Sequence, residues 1–141
     1  MKITTFNPLI VTKDAENVIK LFEALSFEKR HSLDANTGAE DFTNVRMKNA
    51  DGFYVDISNV PVPQDMTLIR MNVDDFDEGE KFLSSKGFKM ASKQSKPYET
   101  SSCKCVAFRS EAGVIILLVK LKKDHEQCFV GSLDPTVYAH T

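Results

Sequence analysis

No run of apolar residues in this 141-residue chain could cross a bilayer as a helix. The longest unbroken one, Val114 to Val119, has six residues, against the roughly 20 that a membrane span needs. There is no basic block either. Eighteen Lys and Arg are set against 20 Asp and Glu, a formal charge of −2, so nothing electrostatic points to a nucleic acid or holds the chain to an anionic membrane. Glycine and proline are too few, six and five, for a collagenous or low-complexity chain. Cys103, Cys105 and Cys128 are an odd set, unlike a disulfide framework. A reduced, soluble, cytoplasmic protein is therefore expected. The first residues carry one Lys, and Pro8 and Asp14 interrupt their short apolar patch, so no secretory signal is expected. No Gly-rich phosphate loop and no Ser-His-Asp or Cys-His arrangement is legible from order or spacing.

What is present repeats. A shift of 61 residues lays Asp14 on Asp75, Lys20 on Lys81, Phe27 on Phe88 and Gly52 on Gly113. Val55 then meets Ile116, and Ile57 meets Leu118, with no insertion between them. Such a period constrains the whole fold. Each half reads as strand, helix, then three strands. In the first, Phe6–Val11 is a strand whose Pro8 has no N–H for a ladder and so suggests an edge. Asp14 is placed to cap a helix carrying Val18, Ile19, Phe22 and Leu25 at helical spacing. In the second, Leu68–Val73 is followed by an Asp75–Glu78 capping box and a buried stripe of Phe76, Phe82 and Leu83. Gly87 supplies the left-handed residue after that helix, a place that Ser26 takes in the first half.

Asp51-Gly52 marks a hairpin between Val45–Lys48 and Phe53–Ser58, and Ala112-Gly113 marks one between Val106–Arg109 and Val114–Val119. Weaker strands are predicted around Glu28–Ser32 and Lys89–Lys93, each followed by a polar loop, Leu33–Asp41 and Gln94–Ser102. Pro61-Val62-Pro63 links the halves, and the tail after Lys123 has no clear period. Side chains alternate along a strand. Phe53, Val55 and Ile57 should therefore pack on the helix, leaving Tyr54, Asp56 and Ser58 on the other face. Ile69, Met71 and Val73 likewise leave Leu68, Arg70 and Asn72 opposite. Val114–Val119 is apolar on both faces, which is unlike one wall of a solvated sheet. The helix-free faces must curl around or pack on something, as a cup that is polar from one half and apolar from the other.

The openings "NPLIVTKDAENVIKLFEALSF" and "LIRMNVDDFDEGEKFLSSKGF", with the turns "NADGFYVDIS" and "SEAGVIILLV", resemble the vicinal oxygen chelate superfamily. This is the fold of glyoxalase I, bleomycin-resistance proteins and extradiol dioxygenases, and the resemblance covers residues 3 to about 122. It implies an α+β domain, residues 1–123, made of two tandem βαβββ modules, 1–60 and 64–123. Their strands form a partly open, cup-shaped mixed barrel with helices outside, and 124–141 is a tail of unassigned structure. Many members hold a divalent metal with His or Glu on the inner face, and one-domain members commonly pair as dimers. Exposed strand edges favour such self-association, so a homodimer is expected.

Carried onto this chain, the superfamily's metal positions hold Asn7, Asp56, Leu68 and Leu117. Leucine has no lone pair to offer, and zinc, nickel or iron needs three or four donors. No metal is therefore expected; a divalent ion on an unorthodox site is the alternative. Cys103 and Cys105, a lone C-x-C, read as packing residues, His31 as a surface residue, and His125 and His140 as unplaced. The inner list is Asn7, Arg46, Tyr54, Asp56, Leu68, Arg70, Ala107, Arg109, Ile115 and Leu117. Asp56 either pairs with Arg70 or Arg46 as a structural ion pair, or joins the arginines and Tyr54 in binding a small, partly apolar molecule with an anionic or hydrogen-bonding end. A binding protein that sequesters such a molecule is the preferred reading. A lyase- or dioxygenase-type enzyme with Asp56 as base or metal ligand is the second. A structural module whose cup is filled by the tail or a partner chain is the third.

Overall fold

The computed structural model describes residues 1–37, 40–91, 96–99 and 103–122, without the side chains of 31–43. The tail 124–141, with His125, Cys128 and His140, and the side chain of His31 lie outside the described residues. In chain order the elements are β1 (Ile3–Val11), α1 (Ala15–Ala24), β2 (Glu28–Thr37), β3 (Glu40–Lys48), β4 (Tyr54–Ser58) and β5 (Met66–Val73). There follow α2 (Phe76–Ser85), β6 (Lys89–Met90), β7 (Tyr98–Glu99), β8 (Cys103–Arg109) and β9 (Ile115–Leu121). The nine strands form one open mixed sheet in the order β2-β3-β4-β1-β5-β9-β8-β6, with β7 on β8. This is an α+β chain, and none of its described helices is long and apolar enough to cross a membrane.

The register places the two halves of the sheet around an antiparallel seam. There β1 meets β5, with Asn7 opposite Arg70 and Leu9 opposite Leu68. On one side β1 runs parallel to β4, Leu9 opposite Asp56; on the other β5 runs parallel to β9, Arg70 opposite Leu117. The members of the second pair lie 61 residues beyond those of the first. The hairpins keep the same offset, Arg46 opposite Asp56 and Ala107 opposite Leu117. Alternation then divides the apolar residues. Val45, Met47, Val55 and Ile57 pack under Ala15 and Ile19 of α1, and Met71, Val73, Val106, Phe108 and Leu118 pack under Phe76 and Leu83 of α2. The other face carries its own buried cluster, including Leu9, Val11, Leu68, Cys105, Ala107, Ile115, Leu117 and Val119. Val60 and Val62 of the linking segment pack into that cluster too.

Several local expectations are corrected. β1 is an interior strand, not an edge. Its ladder with β4 begins at Leu9, one residue past Pro8, so the missing N–H costs that ladder nothing. Residues 33–37, 40 and 41 are strand and not loop, because β2 and β3 continue as a paired ladder out to Thr37 opposite Glu40; polar sequence there does not mean a lack of pairing. Phe53 precedes β4 and is 66% exposed, and Phe82 and Leu25 also face solvent. Asp14 makes no side-chain cap bond to α1; its carboxylate accepts from the Asn17 amide instead. Asp75 does cap α2, accepting from the Glu78 N–H at 3.0 Å. The reciprocal arm of that box is diverted, since the Glu78 carboxylate accepts from the Met1 ammonium at 2.6 Å. Cys103 is disulfide-bonded, against the expectation of reduced cysteines. An odd count excludes a framework but not a single bridge, so the cysteine argument for a reducing compartment lapses.

Both helices end the same way. Ser26 has φ +70° and Gly87 φ +87°. The Phe27 N–H donates to the Phe22 carbonyl at 2.9 Å, and the Phe88 N–H to the Leu83 carbonyl at 3.0 Å. A side chain in this left-handed geometry is strained, and nothing lies within 4 Å of a Cβ added at Gly87, so strain alone sets the cost. After the larger unfolded-state entropy of glycine, Ser26→Gly should therefore stabilise the fold by about 0.5–1 kcal/mol, and Gly87→Ala should destabilise it by about 0.5–1 kcal/mol. Urea midpoints at constant m-value measure both.

Candidate functional site

The face of the sheet away from the helices is built by strand parity. Asn44, Arg46 and Lys48 of β3 share it with Tyr54, Asp56 and Ser58 of β4 and with Asn7, Leu9 and Val11 of β1. From the other side come Leu68, Arg70 and Asn72 of β5, Ile115, Leu117 and Val119 of β9, and Cys103, Cys105 and Ala107 of β8. One flank is thus polar, and the other is hydrocarbon apart from Arg70 and Asn72. Most of it is enclosed: Asp56 is 2% exposed, Arg46 4% and Arg70 0%.

Asp56 is the centre of the polar flank. Nη1 of Arg46 donates to both of its oxygens, at 3.2 and 3.0 Å. Asn7 donates to Oδ2 at 2.8 Å, and Nη1 of Arg70 stands 3.5 Å from the same oxygen. Both alternatives for the ion pair are realised at once, since one carboxylate serves two guanidinium groups. The Arg46 guanidinium also lies 4.2 Å from the centre of the Tyr54 ring, and Nζ of Lys48 lies 5.0 Å from it. Tyr54 thus meets the cations with its ring face. Arg70 is less well served. Its Nε donates to the side-chain oxygen Oδ1 of Asn72 at 3.0 Å, while Nη1 and Nη2 have no hydrogen-bond partner. Burial pushes the Arg70 guanidinium below its usual pKa, Asp56 acts in the opposite direction, and Arg46 adds to the depression.

Of the residues singled out from sequence, Asn7, Arg46, Asp56 and Arg70 come together as one cluster, and Leu68, Ile115 and Leu117 stand in the adjoining hydrocarbon. Arg109 is half-buried at the end of β8, opposite Ile115. Its Nη2 lies 3.6 Å from where a Cβ on Gly113 would be, which directs it to the β8–β9 turn. Asn44 and Asn72 stand on the same face beside this cluster. Both are buried, and both follow from parity, two positions from Arg46 and Arg70. A separate surface hollow of about 220 Å³, lined by Ser26, Glu28, Arg30, Lys48, Asn49 and Ala50, takes in no member of the cluster around Asp56.

The four superfamily metal positions offer one carboxylate, one amide and two leucines. That carboxylate already accepts from Arg46 and Asn7, and a divalent cation beside it would face two guanidinium charges at close range. The described residues contain no group of three or more His, Cys, Asp or Glu able to hold a metal. The residues do not fit a divalent ion. Asp56→Asn should be costly for a different reason, because it leaves two buried guanidinium groups with no counter-charge. A loss of about 3–5 kcal/mol is expected in chemical denaturation, with no change in metal content.

No protein-family model matches the chain, and no curated protein matches it by sequence. Solved structures do. 4-Hydroxymandelate synthase from Streptomyces coelicolor (a triple mutant) superposes at TM-score 0.63 and 11% identity over 94% of this chain and 52% of its own. A glyoxalase I mutant from Zea mays superposes at 0.61 and 12% over 88% of this chain and 45% of its own. The chain thus spans about half the length of these two enzymes. A glyoxalase/bleomycin resistance protein/dioxygenase superfamily member from Vibrio splendidus 12B01 is matched over its full length and 86% of this chain, at 0.55 and 14%. Identities this low speak to architecture alone: the chain has the vicinal oxygen chelate fold.

Proposed function

We propose that this protein is a metal-independent binding protein for a small, partly apolar organic molecule, held on the inner face of the sheet. The observation that carries this reading is the state of Asp56. The single carboxylate at the superfamily's metal positions is engaged by two guanidinium groups and an amide, and the two leucines there present only hydrocarbon. A polar flank that orients and an apolar flank that desolvates are the usual makings of a small-molecule site. The same engagement weakens the enzymatic reading, since a base must have a free oxygen within reach of the proton it takes.

The reading includes an arrangement of two βαβββ modules, 1–60 and 64–123, as copies of one unit. The 61-residue offset shared by the strand registers and by the helix-closing bonds supports it. It also includes a homodimer, favoured by the sheet edges at β2 and β6.

Elemental analysis of protein purified without chelator should find zinc, nickel and iron well below one equivalent, and a chelator should leave Tm unchanged. Thermal-shift screening against aromatic antibiotics and small oxo-acids should find compounds that raise Tm. Stoichiometric metal that is lost in Asp56→Ala would overturn the reading in favour of a metalloenzyme.

A further inference from the structure

The buried polar cluster does not balance its charge. Among the described residues, Arg46 and Arg70 bring two positive charges and Asp56 brings one negative charge, so one positive charge is left over among side chains that are almost fully buried. The surplus is localised. Arg46 spends its Nη1 on both oxygens of Asp56, whereas Arg70 has only Nε hydrogen-bonded; its two terminal nitrogens have no hydrogen-bond partner, and Nη1 only stands 3.5 Å from Asp56 Oδ2. A buried donor without an acceptor is costly, and a charged one more so. Native interiors leave such groups empty rarely, and for a reason.

We propose that Nη1 and Nη2 of Arg70 are the seat of one monocarboxylate, whose apolar body lies on the hydrocarbon flank of the inner face. This rests on the ligand-binding reading above and names the chemistry of the ligand. Two features select a carboxylate. The paired terminal nitrogens of a guanidinium form a planar fork that matches two carboxylate oxygens. The surplus is a single charge, which a monocarboxylate cancels, whereas a phosphate carries nearly two. The surroundings select the apolar body: Leu117 is directly opposite Arg70 on β9, Ala107 is opposite Leu117 on β8, and Leu68 is two residues away on the same face of β5. Leu117, Ala107 and Leu68 belong to one buried cluster. Because Arg70 is fully enclosed, the ligand enters only when this face opens, and association is slower than diffusion.

The test compares sodium benzoate, benzamide and sodium sulfate at fixed ionic strength, by thermal shift and calorimetry. Benzoate should raise Tm, and benzamide and sulfate should not. Arg70→Met should abolish the benzoate shift, while the Arg46–Asp56 pair that it keeps holds the rest of the cluster together. A benzoate shift that persists in folded Arg70→Met would overturn the proposal. The wild-type comparison decides independently of whether that variant folds. Equal shifts from benzoate and benzamide, or from benzoate and sulfate, would overturn the carboxylate assignment and leave the ligand-binding reading standing. So would a failure of benzoate while compounds from the wider screen bind. Failure of every compound in both screens would overturn the two together.

Discussion

A single carboxylate, that of Asp56, stands between two guanidinium groups on a sheet face closed to water, and the inner face takes its character from that arrangement. Isolated charges cannot be buried so deeply; each must find a partner or remain near solvent. Arg46 reaches across one hairpin to its partner directly opposite. Arg70 reaches the same carboxylate from across the seam, because β1 separates β4 from β5. The ion cluster therefore ties the two halves of the sheet together, polar on the Asp56 side and hydrocarbon on the Leu117 side.

That division follows from one substitution pattern seen at equivalent strand positions. Asp56 and Leu117 stand at the same register, 61 residues apart, as do Arg46 and Ala107. Where the first half places a charged pair, the second places leucine against alanine, which buries cleanly with no polar atoms to satisfy. Asn7 and Leu68 differ in the same way. The consequence is a face with two chemistries on one scaffold.

Much of this is legible in the alternation of residues along each strand. Because apolar Val45 and Met47 must go under α1, Arg46 has to point the other way, and the same reasoning sends Asp56, Arg70 and Leu117 inward. The equal spacing of Asp14 and Asp75 and of the turns at Gly52 and Gly113 foreshadows the matching registers. Other features depend on information that is not local. Pro8 looks like an edge residue, yet it sits in an interior strand because the neighbouring ladder starts one residue later. The polar stretch after Ser32 looks like a loop but is held by pairing with β3. Phe53 and Phe82 continue apolar patterns but are exposed, Phe53 ahead of β4 and Phe82 on the solvent side of α2. The sharing of one carboxylate by two arginines, and the terminal nitrogens of Arg70 left over from it, follow from distances that no spacing rule encodes.

The most direct measurement is a crystal structure of protein purified without chelator, with anomalous diffraction collected at the zinc, nickel and iron edges. It should show Arg46 and Arg70 both against Asp56, Leu68 and Leu117 in van der Waals packing beside them, and no anomalous peak on the inner face. An ordered cation on Asp56, with either arginine turned away from it, would contradict the cluster and the function built on it.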